Sequence, residues 1–233
     1  KSTSLQVGQL NLDKLDQICE NTKRLDHVSK FSRLCFGDSH CFSAYLPGNL
    51  VCRNDGLTLY STLRDGLKNV IEEKTGLKTE NLTHLTFYMG NIDIRHHLCR
   101  QENPQERVHA MIIELSHQLK NLGIPNIEIV HVLPIENISR KLPKSGYYKG
   151  TPYYGSWEER TKLVHTFNMS VDKIAIENEI LDACSFWLPF IEIVNLDIAM
   201  SENDNNTLKI FLGFVLKVDP NIVESVQVEI GGN

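Results

Sequence analysis

Two short apolar runs, each stopping at a glycine that polar residues follow, do most to limit what this chain can become. Arg33-Leu34-Cys35-Phe36 halts at Gly37-Asp38-Ser39-His40, and Leu85-Thr86-Phe87-Tyr88-Met89 halts at Gly90-Asn91-Ile92-Asp93. Runs of this length bounded by a breaker suit buried strands. Helical spacing lies between and beyond them. Thr58 is placed to cap a helix in which Leu59, Leu63, Leu67 and Val70 recur at three- and four-residue steps. A second helix from about Pro104 to Asn121 carries Val108, Ile112, Leu115 and Leu119 on one face and ends at Leu122-Gly123. A weaker strand signal falls at Leu50–Arg53, a fourth and a fifth strand at Ile127–Leu133 and Phe190–Val194, and a helical region runs from about Trp157 to Cys184.

Strands alternating with helices predict an α/β fold with a doubly wound, mainly parallel five-stranded sheet and helices on both faces. The flavodoxin-like order 2-1-3-4-5 is the common solution. Strands 1 and 3 are then neighbours whose following loops leave in opposite directions, and ligands bind in the crevice this opens at their carboxyl ends. The expectation is one α/β domain over residues 1–233, with a leading helical segment in 1–30 carrying Leu15, Ile18 and Leu25. Near the other end, Leu208 to Leu216 reads as helix and Val226-Gln227-Val228 as a terminal strand.

Composition narrows the class of partner. A formal charge of −5 over 233 residues argues against a dedicated nucleic-acid surface, which needs surplus Lys and Arg. No run approaches the ~20 apolar residues of a membrane span. The six cysteines are scattered without a CxxC pair, and reduced thiols in a cytoplasmic protein are the expectation. A small-molecule substrate is the expected partner, and nothing in the sequence sets an oligomeric state.

The two strand ends carry the chemistry. Gly37-Asp38-Ser39-His40 resembles the first block of the SGNH (GDSL-like) hydrolases, and Gly90-Asn91-Ile92-Asp93 stands where that superfamily has its Gly-x-Asn-Asp block. The resemblance has specificity over residues 32–100 only. It departs from the family pattern at Ile92, where an oxyanion Asn would fall, and at Asp219-Pro220-Asn221-Ile222, which has Ile in place of the His of a C-terminal Asp-x-x-His block. What it implies is a hydrolase of ester bonds without a cofactor, in which Ser39 attacks. Because a serine hydroxyl stays protonated near neutral pH, a base is needed. His97 or His40 is the leading candidate for that base, with Asp38 or Asp93 to orient it. Asn91, Arg95 and His96 are the candidate substrate and oxyanion contacts.

The same atoms allow a second chemistry. Asp38, His40 and Asp93 form an oxygen and imidazole set suited to Mg²⁺, Mn²⁺ or Zn²⁺. A metal-dependent phosphoester hydrolase acting on a nucleotide-like monoester would then use Arg95, Lys144 and Lys149 on phosphate. Residues 139–157 form a long basic and tyrosine-rich loop, read as a lid or binding loop with Lys144, Tyr148 and Lys149 facing the ligand. A catalytically inactive binding domain is the third reading.

Overall fold

The computed structural model describes residues 31–137, 149–150, 152–200 and 207–231. Four strands pair in parallel in the order β2-β1-β3-β4: β1 Arg33–Gly37, β2 Leu50–Arg53, β3 His84–Tyr88 and β4 Asn126–Ile129. The register sets Cys35 beside Val51 on one side and beside Thr86 on the other, so β1 is central.

Side-chain alternation assigns the two faces of this sheet different work. Leu34 and Phe36 of β1, with Leu85 and Phe87 of β3, enter one continuous core with the helices. Those helices are α1 Leu59–Asp65, α2 Leu67–Thr75, α3 Asn91–His96, α4 Pro104–Lys120 and α5 Trp157–Trp187. The opposite face presents Cys35 and Tyr88, packed against Cys41 of the 3₁₀ turn Cys41–Ala44. Among the described residues the helices therefore cover one face and a short turn touches the other, in place of the expected two helical layers.

The helix boundaries follow local chemistry. Thr58 accepts a hydrogen bond from the Ser61 N–H, as its position before α1 predicts. Gly66, at φ +86, breaks what reads as one periodic helix into α1 and α2. Ser156 and Glu159 form a reciprocal capping box at the start of α5.

The expected fifth parallel strand is overturned. β5, Ile191–Met200, pairs antiparallel with β6, Thr207–Leu216, which pairs antiparallel with β7, Asp219–Gly231. The reason lies in α5, whose 31 residues span about 46 Å. A strand of the parallel sheet is only about 17 Å long. So α5 outruns the strands, the strands after it pair with one another, and β4 stays at the edge of the parallel sheet.

The stretch Leu208–Leu216 is likewise strand, not helix. Leu208, Ile210, Leu212 and Phe214 occupy alternate positions opposite Ile230, Val228, Val226 and Glu224. The run is apolar at nearly every position, so it gives no helical period, and cross-strand pairing decides its state. The terminal strand expected at Val226–Val228 is the middle of the 13-residue β7, exposed throughout. No helix among the described residues is long and apolar enough to cross a membrane.

Two glycines mark where β1, β3 and α5 meet. A Cβ on Gly37 would lie 2.1 Å from the Tyr88 carbonyl oxygen, so only glycine lets the two strand ends approach this closely. Gly90 has φ +116, and a Cβ there would lie 2.7 Å from the Phe167 ring. Strain and overpacking together predict that Gly90→Ala costs about 2–4 kcal/mol in urea unfolding. Gly123→Ala, at φ +68 but in open space, should cost about 1 kcal/mol. Equal losses at the two positions would show that Phe167 yields to the methyl group.

Candidate active site

Parallel pairing of β1 with β3 aligns Gly37 with Tyr88, and the Asp38 N–H donates to the Tyr88 carbonyl at 3.1 Å. The polar residues after the two strands are thereby brought together at one edge of the sheet. Asp38 is fully buried. Its Oδ1 accepts from the His40 backbone N–H at 2.8 Å and lies 3.5 Å from His40 Nδ1. Its Oδ2 has no hydrogen-bond partner among the described residues. Ser39 Oγ lies 3.0 Å from His40 Nδ1, and Arg95 Nη1 reaches the other ring nitrogen, Nε2, at 3.3 Å. His40 thus joins the end of β1 to α3.

The short helix α3 divides the candidate residues by its own geometry. Positions four apart share a face, and positions two apart point to opposite sides. Asn91 and Arg95 form one set. Asn91 Nδ2 donates to the Tyr88 hydroxyl at 3.3 Å and to the Leu133 carbonyl at 3.4 Å. The Leu133 N–H in turn donates to the Tyr88 hydroxyl at 3.1 Å, which ties the segment after β4 to the end of β3. Burial pushes the Tyr88 phenol up, with the bonds from Leu133 and Asn91 opposing it. Arg95 Nη2 donates to Glu136 Oε2 at 3.4 Å, and its guanidinium lies 5.3 Å from the Tyr153 ring centre.

Asp93 and His97 form the other set. Both oxygens of Asp93 are engaged, Oδ2 by the Leu59 N–H at 2.7 Å and Oδ1 by the Tyr60 N–H at 3.0 Å. Asp93 therefore holds the first turn of α1 from a distant point in the sequence. With Thr58, Tyr60, Gln101, Arg107 and Met111, the pair lines a cavity of about 280 Å³ on this side of α3. Burial lowers the His97 imidazole, helped by Arg100. The imidazole placed on Ser39 is that of His40.

Asp93's engagement bears on the metal set. Each Asp93 oxygen already accepts an N–H group from the start of α1, so Asp93 is committed to holding that helix. Among the described residues no group of three His, Cys, Asp or Glu side chains is arranged to hold a metal ion.

The loop after β4 is described at its two ends. Lys144 and Tyr148 lie outside the described residues, and Lys149 is exposed in a turn. Its far end packs on the site. The Tyr154 N–H donates to the Arg95 carbonyl at 2.8 Å, and the Tyr153 ring meets His96 edge-on at 5.5 Å. Arg160, fully buried, sits 5.2 Å from the same ring and donates to the Gly155 carbonyl at 2.7 Å. Its Nε and Nη2 have no hydrogen-bond partner among the described residues.

Glu136 and Tyr153 are the site residues that sequence reasoning missed. Glu136 stands just beyond Pro134, at the carboxyl end of β4, where the crevice rule directs attention. The Tyr153 signal was diluted among the loop's other tyrosines. As for the thiols, burial pushes Cys41 up to about 12, so it is an inert packing group.

No known protein-family model matches the chain, and no curated protein matches it significantly.

Two buried groups on α3 respond to pH in opposite senses. Burial raises Asp93 to about 6, with the Tyr60 and Leu59 N–H bonds opposing. Its folded value exceeds its unfolded one, so its stabilising contribution is complete below about pH 4 and is lost as pH rises through 6. That is a swing on the order of 3 kcal/mol. Burial lowers His96 to about 4, helped by His97 and Arg95. Its contribution is complete above about pH 6.5 and is lost as pH falls through 4. Unfolding across pH 4–7 should therefore show a shallow profile in the wild type. His96→Gln should become more stable toward pH 4, and Asp93→Asn less stable. Parallel profiles for all three proteins would refute this assignment.

Proposed function

We propose that this chain is a hydrolase of ester bonds, resembling the SGNH-like kind, with Ser39 as nucleophile and His40 as its base. The observation that carries the reading is the 3.0 Å approach of Ser39 Oγ to His40 Nδ1 beside the buried Asp38 carboxylate. A positioned imidazole at this distance can take the hydroxyl proton as the oxygen attacks.

The steps follow from the side chains present. Ser39 Oγ attacks the acyl carbon, and its proton passes to His40 Nδ1. The imidazolium formed faces Asp38 Oδ1, whose negative charge stabilises it. The Ser39 backbone N–H, which donates to no group among the described residues, is a donor for the developing oxyanion. His40 then passes the proton to the departing alcohol oxygen. A water molecule, deprotonated by the same ring, releases the acid and restores Ser39. Asn91 acts as a positioning residue, because its amide ties β3 to the segment that carries Glu136.

Ser39→Ala removes the nucleophile and leaves the strand and helices intact. Activity against short-chain acyl esters should fall by roughly a thousandfold or more, with an unchanged unfolding midpoint. A chelator should leave wild-type activity in place. Activity that survives Ser39→Ala but vanishes with chelator would replace this reading by a metal-dependent one.

A further inference from the structure

The hydrogen bonds around His40 carry information about which proton the ring holds. A guanidinium has only N–H donors. Since Arg95 Nη1 sits 3.3 Å from His40 Nε2, that nitrogen must accept, and the neutral ring carries its proton on Nδ1. The Nδ1–H then points at Ser39 Oγ, 3.0 Å away, and at Asp38 Oδ1, 3.5 Å away. In this tautomer Ser39 Oγ is an acceptor, and His40 has no lone pair on Nδ1 to receive the hydroxyl proton. The pair is assembled, and it is held in its unreactive form.

Arg95 is also poorly satisfied where it is. It is 7% exposed, yet its two side-chain hydrogen bonds are long, 3.3 Å to His40 and 3.4 Å to Glu136. Charge-assisted pairs of this type ordinarily close to about 2.7–2.9 Å. Its Nε has no hydrogen-bond partner among the described residues. A second buried guanidinium, Arg160, stands beside the same Tyr153 ring with two nitrogens that have no partner among the described residues. Buried cationic donors short of acceptors are costly, and an anion that reached Arg95 would recover that cost.

We infer that Arg95 is an anion-operated switch: the substrates of this site are esters bearing a carboxylate or phosphate, and that anion draws Arg95 from His40 Nε2 and so releases the base. This rests on the proposed Ser39 hydrolase. Once Arg95 turns to the anion, Nε2 takes a proton from water and Nδ1 gives one up to water, with no net change in charge. The imidazole side chain is 31% exposed, so solvent reaches it. Nδ1 then accepts from the Ser39 hydroxyl, and attack proceeds. Glu136, half-exposed at the rim, is the acceptor the anion displaces.

Two measurements on the full chain test this. The first compares 4-acetoxybenzoate with its neutral isostere 4-acetoxybenzamide. The anionic ester should be preferred in kcat/KM by roughly ten- to a hundredfold, the range a charge-assisted pair supplies. Free benzoate should accelerate hydrolysis of the neutral ester at low concentration, where a simple competitor would inhibit. Arg95→Met, which keeps an apolar stem against Tyr153, should bring the preference toward unity and abolish the benzoate effect.

The second measurement reads the His40 tautomer by ¹⁵N NMR of the ligand-free chain at pH 8, with and without benzoate. Nδ1–H should be the free form, and Nε2–H should grow in on titration. Hydrolysis of both esters with no preference and no benzoate effect overturns the switch and leaves the hydrolase standing. No hydrolysis of either ester, with the tautomer still responding to benzoate, overturns the hydrolase and leaves an anion-sensing imidazole. An Nε2–H ring in the free chain overturns the switch outright.

Discussion

Everything at the candidate site depends on how closely β1 and β3 run together. Their parallel register ends with Gly37 against Tyr88, in contact too close for any side chain at residue 37. That contact is what allows the Asp38 N–H to reach the Tyr88 carbonyl and turns the next two residues toward α3. The sheet order 2-1-3-4 puts this junction at the point where chain connections leave in opposite directions, so the crevice is a product of topology before it is a product of chemistry. Tyr88 extends the junction further, since its hydroxyl bonds both Asn91 and the Leu133 N–H and thereby fixes the segment bearing Glu136.

Buried polar groups of α3 show how one short helix can serve two ends. Its Asn91–Arg95 side faces the Ser39–His40 pair, and its Asp93–His97 side faces the start of α1. Asp93 supplies acceptors that α1 would otherwise have to find locally, and it does so from over thirty residues away. The carboxylate is kept in place by what it holds up. Its altered titration comes from burial in a structural task. Asp38 differs in its contacts, since its second oxygen has no partner among the described residues.

The sequence made the first half of the fold legible because its signals there were local and consistent. Gly37 and Gly90 ended strands, Thr58 capped a helix, and Leu122-Gly123 closed another. Parallel pairing of strands 1 and 3 followed from topology rules alone. The helix expected from Trp157 to Cys184 is α5, and legibility failed beyond it. A strand such as Ile191–Val194 reads identically whether it joins a parallel sheet or begins an antiparallel one, and only the length of α5 decides. The uniformly apolar Leu208–Leu216 had no period to read, and its partner strand lay beyond it in the chain. At the site, the cluster of residues was legible and its division was not. A run such as Gly90–His97 says nothing of which side chains share a face until it is known to be helical. Once it is, the 3.6-residue turn sends Arg95 to one side and Asp93 and His97 to the other.

The length of α5 has a mechanical meaning. The rod begins in a capped turn next to Arg160 and the Tyr153 ring, Lys173 at its middle reaches Asp197 of β5 at 3.6 Å, and its far end at Trp187 leads into β5. Leu163, Val164, Phe167 and Val171 anchor the first half of the rod in the core, so the part beyond Ile174, about 20 Å long, is the arm on which any load on the antiparallel sheet acts.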